Sequence, residues 1–549
     1  MSLITETAFP ELTDRQMEAL AAIADEVPFE TDDELISHSQ KDYPFYVIKS
    51  GEIRIVELSP EGERLVTTHG PRAFSGDVDM LTGRASMFAA RANSSGVAYR
   101  LCAYRLRKLL NECPDVSELL LEAFQMRRKM LAKSDFVGVR LVGRSNTPET
   151  TRLREFFYKN HVPHRFFEAD LDEGQQQLAV LNAESHELPV VQCNNHTVGN
   201  PSLPKLAECI GISRNVDQEL FDLIIVGSGP AGLASAVYAA SEGIRTLVID
   251  SVGPGGQAGS SSKIENFIGF PSGLSGSELA ERGYLQALKF GTQFIAPITV
   301  QEISINEDGE FSLHLCTGQV ARARCVLIAT GVSYRQLNLP GCQSLEGAGV
   351  YYAATLVEAR GCESKTAVVV GGGNSAGQAA MFLANHAAQV KVLIRGDDLS
   401  KSMSSYLCDR VLNHPKIEVM KNSEVQEVCG DTHVESIKIL NNKSQDITDL
   451  ECSGLFIFIG AKPHTSWLPK DVLLDPKGFV LTGSAFYSDN EELRQHWTLE
   501  RSPCDLETTV PGLMAAGDVR SGTTKRCGFA VGDGSLAVSC VHRYLSDIK

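Results

Sequence analysis

The chain has 549 residues, of which 43% are hydrophobic and 22% are charged, so its composition excludes a disordered or fibrous protein. At about 150 residues per domain, this length predicts three to four domains. The 68 acidic residues exceed the 51 basic ones, and the net charge of −17 argues against nucleic acid or an anionic membrane surface as a partner.

No apolar run approaches the roughly 20 residues that span a bilayer, and the N-terminus lacks the pattern of an export signal. The 14 cysteines are at least nine positions apart, the closest being Cys316 and Cys325. This spacing argues against zinc ribbons, iron–sulfur clusters and C-x-x-C redox motifs, so no metal is predicted. We expect reduced, mostly buried thiols and a cytoplasmic location, with a long-range or cross-subunit cysteine pair as the alternative.

Residues 1–135 form the first segment, which begins with a helix predicted at 14–24 and closes with a helix at 114–133. Strand-like runs bounded by Gly, Pro or Ser-Pro lie between them, at 45–48, 51–58 and 64–68. The basic triplet Arg127-Arg128-Lys129 in the last helix is interpreted as a solvated helix face.

Residues 136–212 alternate between strand and helix patterns. The predicted elements are strand 137–142, helix 148–160, strand 165–167, helix 174–182, strands 189–191 and 196–198, and helix 201–210. This order resembles the thioredoxin or glutaredoxin fold, and Leu188-Pro189 stands where that fold keeps a cis-proline. The resemblance implies a redox dithiol after the first strand, where this chain has Ser145-Asn146-Thr147-Pro148. The module is therefore predicted to be redox-silent, with Cys193 and Cys209 as packing residues.

A glycine-rich turn opens the remaining α/β part of the chain. The apolar strand 223–226 runs into Gly227-Ser228-Gly229-Pro230-Ala231-Gly232, a helix follows to 242, and strand 246–249 ends at Asp250. In G-x-G-x-x-G the glycines permit the turn, the approach of a pyrophosphate and close helix packing, and the helix N-terminus attracts negative charge. Asp250, 23 positions after Gly227, is placed to bind ribose hydroxyls.

The same unit recurs later in the chain. Strand 367–370 leads to Gly371-Gly372-Gly373-Asn374-Ser375-Ala376, a helix to 386 and strand 390–394. Here the strand ends at Ile394 rather than at an acid, and Arg395 follows. An apolar residue followed by Arg suits the 2′-phosphate of NADPH, with Lys401 assisting. The alternative is that Arg395 only solvates the end of the strand, and Asp397 and Asp398 argue against NADPH.

Further motifs make residues 219–549 resemble the low-molecular-weight thioredoxin reductases. The matching segments are 253–258 and 264–271, like the loop that cradles the flavin; Ala329-Thr330-Gly331; 456–463; and 510–519. The resemblance implies bound FAD and NADPH. Flavin-side contacts would come from Gly256, Gln257, Asn266, Gly517 and Asp518, with Asp518 on the ribityl chain. The implied FAD-binding domain is 219–335 and 463–549, and an NAD(P)H-binding domain at 336–462 is inserted into it.

The chain departs from that family at the redox centre. Where the family has Cys-Ala-Thr-Cys, this chain has Ala353 and Leu356 at the two cysteine positions, so the usual dithiol relay is absent. Cys362 is interpreted as structural. The family's Arg-Gln-Ala near the flavin is represented by Arg526-Cys527-Gly528, which leaves Cys527 either beside the isoalloxazine or in the packing.

The first segment resembles a cyclic-nucleotide-binding β-roll. Residues 46–51 are similar to its early strand and turn, and 74–81 are similar to the start of its phosphate cassette, with Asp77 in place of the ribose-binding Glu. The cassette's Pro-Arg is replaced by Gly83-Arg84, so Arg84 or Arg91 would have to meet a cyclic phosphate. Nucleotide binding and a degenerate interaction module both remain open.

The predicted fold class is therefore multidomain: a β-roll (1–135), a thioredoxin-like α/β module (136–212) and a Rossmann-like flavoprotein with two dinucleotide-binding domains. The predicted function is hydride transfer from NADPH to FAD, with electrons passed to a ferredoxin-like protein, a quinone or another acceptor. A thioredoxin-disulfide reductase and a redox or ligand sensor are the alternatives. No side chain is identified as a catalytic acid, base or nucleophile, and the family implies a homodimer.

Overall fold

The computed structural model describes residues 3–59, 62–133, 139–145, 147–183, 187–193, 196–261, 264, 266–352, 354, 358–359, 361–487 and 491–548. Its sheets divide the chain into an N-terminal β-roll, a middle module and a C-terminal region. The structure has the β-roll and two-Rossmann flavoprotein folds that the sequence predicts.

The N-terminal β-roll is an antiparallel sheet in the order β1-β5-β3-β4, with β2 paired to β5 and helices at both ends. Its strands are β1 (Asp25–Phe29), β2 (Glu34–Ile36), β3 (Phe45–Ser59), β4 (Gly62–His69) and β5 (Ala89–Leu101). Its helices are α1 (Leu3–Ala8), α2 (Asp14–Ala21), α3 (Asp79–Thr82), α4 (Ala103–Glu112) and α5 (Pro114–Lys133). The rings of Phe45, Phe74 and Phe124 meet in its core, which fixes α5 against the sheet.

The interpretation of the basic triplet as a solvated face is wrong for two of its three residues. Arg127 and Arg128 are 7% and 5% exposed. Arg127 donates to the backbone oxygens of Ala8, Phe74 and Gly76 at 2.7–3.1 Å. Arg128 lies 2.9 Å from the carboxylate of Asp77 and 2.7 Å from that of Asp79. Burial of these cations is tolerated because carbonyls and carboxylates replace their water.

The middle module has the predicted order of elements. It contains β6 (Val139–Gly143), α6 (Pro148–Lys159), β7 (Arg165–Glu168), α7 (Asp172–Val180), β8 (Val190–Cys193), β9 (His196–Gly199) and α8 (Leu203–Cys209). The sheet order is β7-β6-β8-β9, with β6 and β7 parallel and β8 antiparallel to both its neighbours. Thr147 caps α6 by accepting a hydrogen bond from Thr150 N, and the Leu188-Pro189 bond is cis.

Cys193 and Cys209 are not separate packing residues, as the sequence analysis expects, but a disulfide. Their Cα atoms are 6.1 Å apart, because β8 and α8 end side by side. The expectation that all thiols are reduced is therefore wrong for this pair, whose members are 16 positions apart in sequence. The other 12 cysteines are free.

The C-terminal region contains two α/β units. Its strands are β10 (Leu220–Val226), β11 (Thr246–Ile249), β12 (Gln293–Ile295), β13 (Val300–Ile305), β14 (Phe311–Leu315), β15 (Val320–Ile328), β16 (Val332–Tyr334), β17 (Val350–Tyr351), β18 (Thr366–Val370), β19 (Gln389–Ile394), β20 (Ile417–Lys421), β21 (Ser423–Cys429), β22 (Ser436–Asn441), β23 (Ile447–Glu451), β24 (Gly454–Ile457), β25 (Ala461–Pro463) and β26 (Leu513–Ala515). Its helices are α9 (Pro230–Ser241), α10 (Gly276–Lys289), α11 (Asn374–Leu383), α12 (Ser405–Leu412), α13 (Ser484–Tyr487), α14 (Glu491–Arg494) and α15 (Cys527–Asp547).

The two units are joined by a pair of short strands. The first unit has the sheet order β12-β11-β10-β15-β14-β13, with β26 also on β15, and the second has the parallel order β17-β24-β18-β19-β20. Strand β16, which leaves the first unit, pairs antiparallel with β25, which returns to it. The second unit is thus an insertion. In open α/β sheets of this kind, ligands bind at the carboxyl ends of the strands.

The β-roll is packed onto the first unit through a shared hydrophobic core. One cluster of buried side chains contains Phe45 and Phe124 of the β-roll together with Leu233, Tyr284 and Leu288 of α9 and α10. The β-roll and the first unit therefore share one hydrophobic core.

Candidate dinucleotide-binding site

The first glycine-rich turn lies between β10 and α9 and has no room for side chains at two of its glycines. Gly227 has a φ of +105°, and a Cβ there would lie 2.3 Å from the oxygen of Ala329. A Cβ at Gly232 would lie 1.9 Å from the oxygen of Gly227. Both positions thus require glycine, one for its backbone conformation and one for the close packing of helix on strand.

The middle glycine of this turn faces open space. Gly229 caps α9, which begins at Pro230, and the nearest atom to a Cβ there would be the Cα of Gly256 at 3.9 Å. Ala231 and Ser228 are buried beside it, so backbone N–H groups at the helix N-terminus border a gap. This arrangement can accept a pyrophosphate.

Asp250 follows β11 next to this turn, and its carboxylate is held from two sides. Its Oδ2 accepts hydrogen bonds from the backbone and hydroxyl of Ser228, at 2.8 and 2.7 Å. Its Oδ1 accepts from the backbone N–H groups of Val252 and Gly253, both at 2.9 Å. The carboxylate is thereby fixed at the sheet edge where a ribose would lie.

Three predicted flavin-side residues lie where the first unit passes to the second. Gln257 Nε2 donates to the oxygen of Val332 at 2.7 Å, and Thr330 Oγ1 donates to the oxygen of His464 at 3.2 Å. Gly331 has a φ of +61° and open space where a side chain would be. Ala329 is buried, and its backbone N–H donates a hydrogen bond to the oxygen of Val226. Asn266 is exposed.

The C-terminal motif packs directly on the first turn. A Cβ at Gly517, whose φ is +75°, would lie 2.9 Å from the Cβ of Ala231. The next residue, Asp518, is half-buried, and burial raises the pKa of its carboxyl while Lys525 opposes the rise. Lys525 Nζ also donates to the backbone oxygen of Asp518 at 2.9 Å. The motif thus carries a partly desolvated acid beside the dinucleotide turn.

Arg526 and Cys527 form the N-terminus of α15. Arg526 is the exposed N-cap and Cys527 is the first helical residue. Burial, with the charge of Asp518, raises the pKa of the Cys527 thiol. The thiolate, which is the reactive form, is therefore disfavoured.

The second turn repeats the backbone design of the first. Gly371, with a φ of +140°, would place a Cβ 2.3 Å from the oxygen of Phe458, and Gly373 caps α11. Asn374 Oδ1 accepts a hydrogen bond from Ser404 N at 2.7 Å. Ser375 is exposed and Ala376 is buried.

Beyond β19 the second unit has an exposed cation in place of an acid. Arg395 is exposed, and its backbone oxygen accepts a hydrogen bond from Asn442 Nδ2 at 2.9 Å. Lys401 is also exposed but lies 2.8 Å from the carboxylate of Asp397. The guanidinium of Arg395 is therefore exposed at the end of the strand, whereas the ammonium of Lys401 is paired with Asp397.

The positions of the family's dithiol, Ala353 and Leu356, lie outside the described residues, and so does Asn146 of the middle module. Cys362 is fully buried, and burial raises its thiol pKa, in agreement with a structural role. The start of α6 nevertheless faces the segment before β17, since a Cβ at Gly347 would lie 3.2 Å from Thr151 Oγ1. The end of the middle module that would carry a redox dithiol thus lies close to the segment that leads to position 353.

The β-roll contains a largely apolar cavity at its cassette. Apolar side chains such as Tyr43, Leu65 and Phe88 line it together with Asp77 and Arg127. Asp77 is tied to Arg128, and Arg91 is paired with Glu34 at 3.0 Å and with Glu63. Arg84 lines another cavity, and neither Arg84 nor Arg91 is among the residues that line this one.

The three parts of the chain are joined by contacts that the sequence does not predict. Arg84 Nη1 donates to the backbone oxygen of Asn160 at 2.8 Å, and Asn160 Nδ2 donates to the oxygen of Val252 at 2.6 Å. The only sequence signal for this role is the misfit of Arg84 to the phosphate cassette.

No group of His, Cys, Asp or Glu among the described residues has the arrangement of a metal site. No described helix combines the length and hydropathy of a membrane span.

Two families match the chain. The family described as pyridine nucleotide-disulphide oxidoreductase matches residues 221–534, and the cyclic nucleotide-binding domain matches residues 26–113. The thioredoxin reductase of Treponema pallidum is 33% identical over 330 residues, which are 60% of this chain and 98% of the relative. The enzyme of the same name from Listeria innocua is 31% identical over 335 residues, 61% of this chain and 96% of its own.

Two crystal structures of thioredoxin reductases are also similar to the chain. The enzymes from Lactococcus lactis, in the conformation named FR, and from T. acidophilum each give a TM-score of 0.52 at 27% identity. Each alignment covers 60% of this chain, and it covers 99% of the first enzyme and 100% of the second.

Proposed function

Since the chain belongs to the pyridine nucleotide-disulphide oxidoreductase family and is thioredoxin reductase-like, we propose that it oxidises NADPH through FAD without a dithiol relay. The cofactors of this family are FAD and NADPH. The observation that carries the proposal is the sequence at 353–356, where Ala353 and Leu356 stand at the family's two cysteine positions.

The proposed FAD site is the first unit of the C-terminal region. Gly227, Gly229, Gly232 and the N-terminus of α9 would hold the pyrophosphate, and Asp250 would hold the ribose. The flavin side would be bordered by the other predicted contacts: Ser228, Pro230, Ala231, Gly256, Gln257, Asn266, Ala329, Thr330, Gly331, Gly517, Asp518, Arg526 and Cys527. Asp518 supports this assignment, because it is half-buried one residue from the contact of Gly517 with Ala231.

The proposed NADPH site is the second turn with α11. Gly371, Gly373, Asn374, Ser375 and Ala376 would contact the pyrophosphate, and Arg395 would bind the 2′-phosphate. We assign Lys401 only a minor part, since its ammonium is 2.8 Å from Asp397.

Bound FAD would supply the redox chemistry, accepting hydride from NADPH and yielding electrons to an acceptor such as a quinone or a ferredoxin-like protein. The chain's own residues would bind and orient the two dinucleotides. The half-buried Cys527 is not assigned a thiolate role, because its thiol pKa is raised.

The test is an anaerobic NADPH titration of the purified protein followed by visible spectroscopy. We expect a yellow protein whose flavin is bleached by stoichiometric NADPH and reoxidised by a quinone over many turnovers. A flavin that stays oxidised under NADPH would instead favour a sensor, and a colourless protein that cannot be reconstituted with FAD would refute the proposal.

A second candidate function is supported by the Cys193–Cys209 disulfide. If reduced flavin reached it, two electrons and two protons would convert the disulfide into two thiols, and the chain would act as a disulfide reductase. Thiol counting in denaturant, before and after NADPH, distinguishes the candidates. We expect the same count in both samples, and two additional thiols per chain, absent from Cys193→Ser/Cys209→Ser, would favour the reductase.

A further inference from the structure

A cavity next to Asp250 is bounded by all three parts of the chain. The C-terminal region contributes Ser228, Asp250 and Ala296 to its lining. The other parts contribute Arg84 from the β-roll, Asn160 from the middle module and Arg214 from the segment after that module. In a dinucleotide-binding unit the acid after the second strand binds the adenosine ribose. This cavity is therefore at the adenosine end of the proposed FAD site.

A continuous line of hydrogen bonds connects the β-roll to Asp250. Arg84 Nη1 donates to Asn160 O at 2.8 Å, and Asn160 Nδ2 donates to Val252 O at 2.6 Å. Val252 and Gly253 in turn donate their backbone N–H groups to Asp250 Oδ1 at 2.9 Å. The loop that holds the ribose-binding acid is thus tied to the β-roll cassette through the end of α6.

Arg84 is itself held firmly in this position. Its side chain is 12% exposed and lies 3.5 Å from the carboxylate of Asp79. Arg128 anchors Asp79 from α5 at 2.7 Å, and the shared hydrophobic core fixes the β-roll against α10. A charged side chain with so little exposure keeps its geometry, because leaving its partners would strand buried charges.

We propose that the β-roll is a structural part of the FAD site, with Arg84 as the residue that positions the 250–254 loop at the adenosine end. The inference rests on the proposed FAD site and adds residues from outside the family's matched region of 221–534. Arg214, which is exposed on the segment after the middle module, also lines this cavity. The cassette arginine thus serves the dinucleotide instead of a cyclic phosphate.

The experiment measures FAD affinity of the full-length apoprotein by flavin fluorescence and ADP affinity by competition with FAD. Arg84→Ala is expected to raise both dissociation constants about tenfold, a change of about 1.4 kcal/mol. Arg84→Lys, which keeps the charge, is expected to stay within about threefold of wild type. NADP⁺ affinity and the visible spectrum of the saturated flavin are expected to be unchanged, because both report on regions away from the adenosine.

Arg91→Ala is the matched control, since Arg91 is a β-roll arginine whose partners are Glu34 and Glu63. It is expected to leave FAD and ADP affinity unchanged. If Arg84→Ala fails to fold, Asn160→Ser decides the question, because it removes the donor to Val252 O through which Arg84 is linked to the loop. It is expected to raise the FAD and ADP dissociation constants by at least about threefold.

If the wild-type protein binds FAD, either of two results would overturn the inference. One is FAD and ADP dissociation constants within twofold of wild type in Arg84→Ala, or in Asn160→Ser where it replaces that variant. The other is a loss of FAD affinity accompanied by an altered flavin spectrum and weaker NADP⁺ binding, since that would indicate general disruption. A wild-type apoprotein that binds neither FAD nor ADP would overturn the proposed function itself.

Discussion

The two glycine-rich turns of the C-terminal region share a backbone design but differ at the strand that follows each helix. After the first turn, β11 is followed by Asp250, which accepts four hydrogen bonds from Ser228, Val252 and Gly253. After the second, β19 ends at Ile394 and the exposed Arg395 follows. The same fold thus places a fixed carboxylate at one proposed ribose position and an exposed guanidinium at the other.

This difference would separate the two proposed cofactor sites by charge. A carboxylate accepts hydrogen bonds from unphosphorylated ribose hydroxyls and repels a 2′-phosphate, whereas a guanidinium can bind that phosphate in a bidentate manner. The surroundings differ as well, because Arg84 of the β-roll and Asn160 at the end of α6 line a cavity beside Asp250. We therefore expect changes in the first turn to affect retention of FAD and changes in the second to affect turnover of NADPH.

The largest expected effect is that of a side chain in the turns themselves. Gly232→Val would place a Cβ 1.9 Å from Gly227 O, so we expect protein that purifies without FAD. Gly371→Val would place a Cβ 2.3 Å from Phe458 O in the second unit. This variant should keep FAD, but NADPH should no longer reduce the flavin. Flavin content and stopped-flow reduction measure the two outcomes.

The matched control for these substitutions is Gly532→Ala, at an exposed helical glycine with no neighbour within 4 Å. It should retain FAD and gain about 0.5–1 kcal/mol of stability, because alanine favours the helix. Gly232→Val with full flavin content would show that the first turn does not hold the cofactor.

The next largest effect is expected at Asp250. Asp250→Ala removes the acceptor of four hydrogen bonds and should raise the FAD dissociation constant about 100-fold, or about 2.7 kcal/mol. Binding of NADP⁺, measured by calorimetry, should not change. The matched acid at the second site is Asp397, and Asp397→Ala should leave FAD binding as in wild type. Equal losses of FAD and NADP⁺ in Asp250→Ala would contradict the division between the sites.

A smaller effect is expected at Arg395. Arg395→Ala should raise the KM for NADPH about tenfold and leave the KM for NADH within twofold, because only NADPH carries the 2′-phosphate. Arg395→Lys should be intermediate, since lysine keeps the charge but loses the fork of donors. Steady-state kinetics with both nucleotides make the comparison, and equal losses would show that Arg395 does not bind the phosphate.

The smallest effect is expected at Lys401, whose ammonium is paired with Asp397. Lys401→Ala should change the KM for NADPH by less than twofold, since the carboxylate of Asp397 offsets the charge of the ammonium. Asp397→Ala should lower that KM, because it frees Lys401 for the phosphate. A large rise in Lys401→Ala would place Lys401 beside Arg395 in the binding of NADPH.

Local patterns were sufficient to predict most of the elements. The helix predicted at 114–133 is found as Pro114–Lys133, and both glycine-rich turns lie between a strand and a helix as expected. These features depend on residue spacing within one element, which the sequence displays directly.

Contacts between distant segments could not be predicted in the same way. Arg128 is buried because Asp77 and Asp79 meet it from the cassette, and Cys193 pairs with Cys209 because β8 and α8 end together. The sequence suggests Arg84 for a cyclic phosphate because its neighbours belong to the cassette, yet its hydrogen-bond partner is Asn160 of the middle module. In each case the partner is chosen by packing of separate elements, on which local periodicity carries no information.

We propose that electrons leave the flavin without a dithiol, and one paired assay tests this. Purified protein with NADPH is supplied with ferricyanide in one reaction, and with thioredoxin and insulin in the other. Our account predicts rapid ferricyanide reduction and negligible insulin reduction, with Cys362→Ser behaving like wild type. Robust thioredoxin-dependent turnover would contradict it, and loss of that turnover in Cys362→Ser or Cys527→Ser would identify a relocated thiol as the relay.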